Sequence, residues 1–294
     1  AVRRVGAALA RAARGVPHVW VEAVGLLEAP FRAPAAELLA EGLALGSYAF
    51  TRYKERPAEA RLARATVVGP GGRKVTGAVE AGVRLAEAVA LARDLVNTPG
   101  GDLTPRAFAE TALRLAGERE LHCEVLDKKA IAREGLGGLL GVNRGSSQEP
   151  RLVKLTHEPE RARGHVALVG KGITFDTGGI SIKPADAMET MKNDMGGSAA
   201  VIGAMQVVAD LNLPLHVVGL VSSAENMPSG DALRPGDIVR SLSGKTIEVL
   251  NTDAEGRVIL SDGLFYAQRY EPEAIIELST LTGAIIIVLG LHAT

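Results

Sequence analysis

Apolar positions along this chain switch between a helical period and a strand period, and each change of period marks an element. The first 70 residues carry a weak version of the pattern. They read as a helical opening rich in alanine and arginine, a strand at His18 to Val24, a helix around Ala35 to Tyr48 and a short strand at Ala65 to Val68. Gly69-Pro70-Gly71-Gly72 then interrupts the chain. Val79, Val83, Ala86 and Ala90 return at helical spacing, which predicts a long helix up to Val96, and Asn97-Thr98-Pro99-Gly100-Gly101 stops it.

Beyond that stop, helix and strand signals alternate. Thr104-Pro105 offers a capping hydroxyl and a proline at the first helical position, so Pro105 to Ala116 is predicted helical. Leu121 to Leu126 reads as a strand, a short helix starts at Asp127, and the glycine-rich stretch from Gly135 to Gly145 reads as a flexible turn. Strands follow at Leu152 to Thr156 and Val166 to Phe175, then a long helix from Asp186 to Ala209 and a strand at Leu215 to Val221. Thr246 to Leu250 and Ala274 to Leu278 are predicted strands on either side of a helix from Ala254 to Gln268. Several of these strands are continuously apolar, which implies a mostly parallel sheet flanked by helices. The fold class is α/β, with a partial, smaller N-terminal α/β domain at 1–70, a linking helix at 71–96 and the main domain at 97–294. The chain opens inside a helical pattern and closes at Leu291-His292-Ala293-Thr294 directly after a strand-like run, so the main domain is expected to be truncated at its C-terminus.

Composition narrows the partners. With 33 basic and 34 acidic residues the formal net charge is −1, which gives no field to gather nucleic acid or an anionic membrane, so neither is an expected partner. Cys123 is the one cysteine and cannot form an internal disulfide, and a cytoplasmic location is expected. The most apolar stretch, Ala274 to Leu291, contains Glu277 and is broken by Gly283 and Gly290, which fits a buried strand and turn better than a membrane span.

Three acidic segments fall where a parallel sheet presents the carboxyl ends of its strands. G-K-G-I-T-F-D-T-G-G-I-S-I-K runs from Gly170 to Lys183, M-K-N-D-M-G-G from Met191 to Gly197, and N-T-D-A-E-G-R-V-I-L from Asn251 to Leu260. They supply Asp176, Asp194, Asp253 and Glu255 beside Lys171, Lys183 and Arg257. Taken singly, Asp176 reads as a turn residue bonding its own backbone and Asp253 as a helix cap, with Glu255 in the first turn and Asp194 solvated. Taken together, four carboxylates in one crevice repel one another and lose solvation unless cations neutralise them. Two divalent ions roughly 3.5–4 Å apart would meet that need and favour metal-assisted hydrolysis, with magnesium, manganese or zinc suited to oxygen ligands. A neighbouring lysine can ligate through its neutral amine or stay charged and stabilise an oxyanion.

Other motifs carry less. Ser243-Gly244-Lys245-Thr246 ends like a phosphate-binding loop, but Val239 stands where its first glycine is required. The histidines His18, His122, His157, His165, His216 and His292 show no paired metal spacing, and Cys123 reads as a small buried hydrophobe. Hydrolysis of a phosphoester or a non-enzymatic role in assembly remain as other readings, the first weakened because no arginine cluster accompanies the acidic segments.

In these three segments, and in R-D-L-V-N-T-P-G from Arg93 and S-T-L-T-G-A from Ser279, the chain resembles the cytosolic leucyl aminopeptidase family of two-metal metallopeptidases. The likeness is clear from about residue 74 onward. It implies an exopeptidase that removes N-terminal residues, often leucine, from peptides with a free N-terminus, through a water activated by two divalent ions, Mn²⁺ or Zn²⁺ with Mg²⁺ as a variant. By the same resemblance, one ion would be held by Lys171, Asp176, Asp194 and Glu255, and the other by Asp176, Asp253 and Glu255. Lys183 would stabilise the tetrahedral oxyanion, and Arg257 would hold a bicarbonate acting as general base. Met191, Thr280 and Gly283 would lie near the pocket for the first side chain. The resemblance also implies a homo-oligomer, a hexamer, and a longer catalytic domain in members of the family.

Overall fold

A computed structural model describes residues 1–55 and 62–290, and it divides into two compact units, Ala1–Asp94 and Leu95–Thr294. Residues 291–294, which contain Leu291 and His292 of the readings above, lie outside the described residues.

The first unit contains helix α1 (Val2–Ala12), strand β1 (His18–Val21), helix α2 (Ala29–Ser47), strand β2 (Arg64–Val67) and most of helix α3 (Gly72–Asn97). β1 and β2 pair in parallel, and Ala10, Val24, Ala36, Leu39 and Leu43 form the small core. α2 starts six residues before the predicted Ala35 because Pro30 occupies its first turn and Pro34 is accommodated inside it. β1 ends at Val21, three residues short of the predicted Val24, because a 3₁₀ turn takes Ala23–Leu26.

The second unit begins with α4 (Pro105–Arg119), where the Thr104 hydroxyl accepts from the Ala107 N–H as the sequence suggests. Then follow β3 (His122–Leu126), α5 (Lys128–Glu134), α6 (Gly137–Val142), β4 (Arg151–His157), β5 (His165–Asp176), α7 (Ala185–Met188) and α8 (Gly196–Asp210). The remainder is β6 (His216–Asn226), β7 (Asp237–Arg240), β8 (Thr246–Val249), α9 (Glu255–Ala267), β9 (Ala274–Leu278) and α10 (Ala284–Leu289). Among the described residues, five strands make the central sheet in the order β3-β4-β6-β5-β9. β6 is buried from Val217 to Asn226, which explains the run of apolar residues and glycine from Val217 to Val221, while Ser222, Ser223, Glu225 and Asn226 at its end are buried polar residues. Neighbouring residues of a strand point to opposite faces. A side chain at Gly170 of β5 would meet Ser198 of α8, whereas Lys171 reaches Gly256 of α9, so these helices cover opposite faces.

The predicted mostly parallel arrangement holds for β5 with β6 and for β5 with β9, but β4 runs antiparallel to both β3 and β6. The segment 158–164 between β4 and β5 contains no crossover helix, and without one the chain returns in the opposite direction. The predicted helix from Asp186 to Ala209 is three pieces: α7, a 3₁₀ turn at Met191–Asn193, and α8 starting only at Gly196. Asp194 therefore sits on a turn before a helix instead of inside one. The predicted turn at Gly135 to Gly145 contains α6 and a 3₁₀ turn. β9 is an edge strand of the described sheet and is largely exposed, and the apolar run after it forms the exposed helix α10 rather than a buried strand and turn. A short apolar run does not distinguish helix from strand by its period.

Candidate metal centre

The three acidic segments meet at the carboxyl ends of β5 and β6. Lys171 lies inside β5 and is only 2% exposed. Its Nζ is 2.8 Å from Asp194 Oδ2 and 2.8 Å from Glu255 Oε1, and it donates to the Thr280 carbonyl at 3.2 Å. Asp176 closes β5, and its Oδ2 is 2.9 Å from Lys183 Nζ. Lys183 also forms a close ion pair with Asp253 Oδ1. Asp176, Asp253 and Glu255 each present one carboxylate oxygen within 4.8 Å of the others, which is a separation a single ion could span.

Local sequence explains how these groups are held. After Asp176 the chain reverses through Gly178 (φ +84°) and Gly179 (φ +66°), conformations that side-chain-bearing residues rarely adopt. Asp176 Oδ1 accepts from the Gly178 N–H at 2.8 Å, so the turn bond expected of a lone aspartate coexists with its place in the cluster. Thr252 ties this turn to the Asn251–Leu260 segment: its hydroxyl donates to the Gly178 carbonyl at 2.7 Å and accepts from the Ser181 N–H at 2.8 Å. The cap of the 3₁₀ turn at Thr252–Ala254 is Asn251, whose Oδ1 accepts from the Asp253 N–H. Asp253 is therefore not the cap, and its carboxylate is left for the cluster. Glu255 is the first residue of α9, where the helix dipole favours a negative charge.

The electrostatics are those of a crowded site. Burial pushes the Asp194 carboxyl up to about 7 against the opposing pull of Lys171, and burial likewise raises Glu255. Burial works against the Lys171 charge, but Asp194 and Glu255 hold its pKa above the ordinary lysine value. Lys183 is held above the ordinary value in the same way, by Asp253 and Asp176. Four carboxylates face two ammonium groups, and Glu255 Oε2 is buried with no hydrogen-bond donor. Asp194 Oδ2 and Asp253 Oδ1 have only lysine ion pairs to balance them. An orphaned carboxylate oxygen in an excess of negative charge fits bound cations, which would relieve both.

The remaining named residues stand at different distances from this cluster. Thr280 belongs to it: its hydroxyl donates to Asp194 Oδ1 at 2.8 Å. Met191 is half-buried on the 3₁₀ turn just before Asp194. Gly283 is exposed at the start of α10 with open space around it, and the structure does not bring it into the cluster. Arg257 is exposed in the first turn of α9 with no ion pair among the described residues. Sequence reasoning missed Asn226 and Thr252, both buried and both bonded into the site. Asn226 gives no signal of its own, because it lies beyond the predicted end of this strand at Val221.

A sheet flanked by helices, with carboxylates and lysines gathered at its strand ends, defines a class of α/β proteins built to hold divalent cations. Residues 90–294 match the catalytic domain of the cytosol aminopeptidase family. The chain belongs to that family. It is 46% identical over 313 aligned positions to a probable cytosol aminopeptidase of Streptomyces coelicolor, covering 99% of this chain and 59% of that protein. A probable cytosol aminopeptidase of Geobacter sulfurreducens is 45% identical over 294 positions, covering 98% and 59%. Among solved structures, the bottromycin maturation enzyme BotP in complex with Mn superposes with a TM-score of 0.90 at 42% identity, covering 98% of this chain and 62% of that one. A mutant of tomato leucine aminopeptidase gives a TM-score of 0.90 at 35% identity, covering 98% and 57%. The chain thus spans about three fifths of the length of these relatives. No helix among the described residues is long and apolar enough to cross a membrane.

Proposed function

We infer that this chain carries the metal centre of an aminopeptidase, a hydrolase that removes N-terminal residues, with a leucine-type preference, from peptides with a free N-terminus. The observation that carries this reading is the pairing of four carboxylates with two lysines around the orphaned Glu255 Oε2. Lys171, Asp176, Asp194 and Glu255 would hold one divalent ion, and Asp176, Asp253 and Glu255 the other. Bound there, two such ions would polarise the scissile carbonyl and lower the pKa of a water. Mn²⁺ is the first choice because it accompanies the BotP structure, with Zn²⁺ and Mg²⁺ as variants.

The protein's own groups then divide the work. With Asp194 and Glu255 neutralised by bound ions, Lys171 would lose to solvent the proton that they hold on it and ligate through its neutral amine, which its burial favours. Lys183 would be released from Asp176 and Asp253 as their charge is neutralised. Its ammonium, 14% exposed at the edge of the cluster, would then stabilise the oxyanion of the tetrahedral intermediate. Arg257, exposed and without an ion pair among the described residues, is free to hold a bicarbonate as general base. Met191 and Thr280, with Gly283 further out, would border the pocket for the first side chain. A cytoplasmic homo-oligomer, a hexamer, is the assembly we propose for the whole protein.

The test is hydrolysis of leucine anilide by the purified protein with Mn²⁺ or Zn²⁺, and its loss with chelator. Metal uptake without turnover of any of a panel of N-terminal residues would overturn the assignment of substrate. Turnover that survives exhaustive chelation would overturn the metal centre.

A further inference from the structure

We propose that Asn226 positions Asp176 for metal binding by occupying one carboxylate oxygen and leaving the other as the ligand. The inference rests on the aminopeptidase reading above and extends it to a residue outside the ligand set. Asn226 is the last residue of β6, is 4% exposed, and stands opposite Asp176 in the parallel register of β5 with β6. Its amide nitrogen donates to Asp176 Oδ1 at 2.8 Å and to the Thr252 carbonyl at 3.0 Å, which uses both hydrogens. The Gly178 N–H donates to the same Asp176 Oδ1 at 2.8 Å. Two donors fill the two lone-pair positions of that oxygen, so Oδ2, the one facing Lys183, is left for a cation. If Asp176 serves two ions it does so through that single oxygen.

Asn226 is itself fixed from behind. Its backbone carbonyl accepts from the Thr177 N–H at 3.0 Å and from the Thr177 hydroxyl at 2.8 Å. The Thr252 carbonyl that it grips directly precedes Asp253, so one side chain sets the spacing of two loops that each supply a ligand. Groups that orient ligands in this way typically matter about 10–100-fold for metal affinity.

The experiment is Mn²⁺ titration by calorimetry of this chain, wild type against Asn226→Ala and Asn226→Asp, with low-temperature electron paramagnetic resonance of the loaded proteins. Asn226→Ala should keep its fold by circular dichroism, bind Mn²⁺ about 10–100-fold more weakly and lose kcat with little change in KM. Asn226→Asp has the same size but no donor for Asp176 Oδ1, so the resonance of its bound Mn²⁺ should change. If Asn226→Ala does not fold, Asn226→Asp decides. Affinities within about twofold of wild type and an unchanged spectrum overturn the role of Asn226 alone. Wild type that binds no Mn²⁺ overturns the aminopeptidase reading together with it.

Discussion

The ammonium of Lys171 lies 2.8 Å from Glu255 Oε1 and, on its other side, 2.8 Å from Asp194 Oδ2, with all three side chains at most 5% exposed. A buried ammonium between two buried carboxylates is the one positive charge paired with either of them among the described residues, so in chelator it limits their repulsion. Lys171→Met should therefore cost about 3–5 kcal/mol, because removing one partner leaves buried charge uncompensated. Urea unfolding in chelator measures this. A variant within about 1 kcal/mol of wild type would mean that Asp194 and Glu255 take up protons without cost.

Asp253 makes a different prediction because its side chain is 33% exposed. Asp253→Ala removes a partly exposed side chain, and Lys183 retains Asp176 at 2.9 Å, so the fold should survive. If Asp253 holds a metal as proposed, leucine anilide turnover should fall more than about a hundredfold, since one ligand fewer would forfeit several kcal/mol of charge stabilisation. Full activity in a correctly folded Asp253→Ala protein would remove this residue from the centre.

The sequence made the carboxylates and lysines legible because their chemistry is written in residue type. Asp176, Asp194, Asp253, Glu255, Lys171 and Lys183 stand out by residue type and motif, and in the structure each takes part in an ion pair, while Asp176, Asp253 and Glu255 bring carboxylate oxygens within 4.8 Å of one another. Their supports were less visible. Asn226 and Thr252 look like ordinary polar residues until the register of β5 with β6 sets one of them opposite Asp176. The direction of β4 was likewise hidden, since a buried strand is apolar whichever way it runs. Capping competed with ligation at Asp253, and only the Asn251 side chain, accepting from the Asp253 N–H at 2.9 Å, resolves it.

At the far end of the same strands His165 and His216 stack with ring centroids 4.0 Å apart. Burial, and then the neighbouring His216, lower the His165 pKa below 6.5, against the weaker opposing pull of Glu273 and Glu158. The unfolded chain thus binds the proton more readily than the folded one. The contribution of His165 to stability is complete above pH 6.5 and is lost as the pH falls below it toward the lower folded value. Melting temperatures between pH 8 and pH 5 should fall more for wild type than for His165→Gln. Parallel curves would show that the pair is not linked to folding.

Gly179 and Gly244 separate backbone strain from crowding at the site. Both have positive φ, +66° and +82°, so alanine at either should cost about 1–2 kcal/mol of backbone energy. A Cβ at Gly244 would meet nothing within 4 Å. At Gly179 it would lie 2.8 Å from Asn226 Oδ1 and 3.0 Å from the Thr252 hydroxyl, the two groups that tie the ligand loops together. Gly244→Ala should therefore lower the melting temperature while leaving Mn²⁺ affinity unchanged. Gly179→Ala should lower both, because relieving the clash displaces the amide that holds Asp176. Equal Mn²⁺ affinities for the two variants in a calorimetric titration would mean that the Asn226 and Thr252 contacts shape the turn without shaping the metal centre.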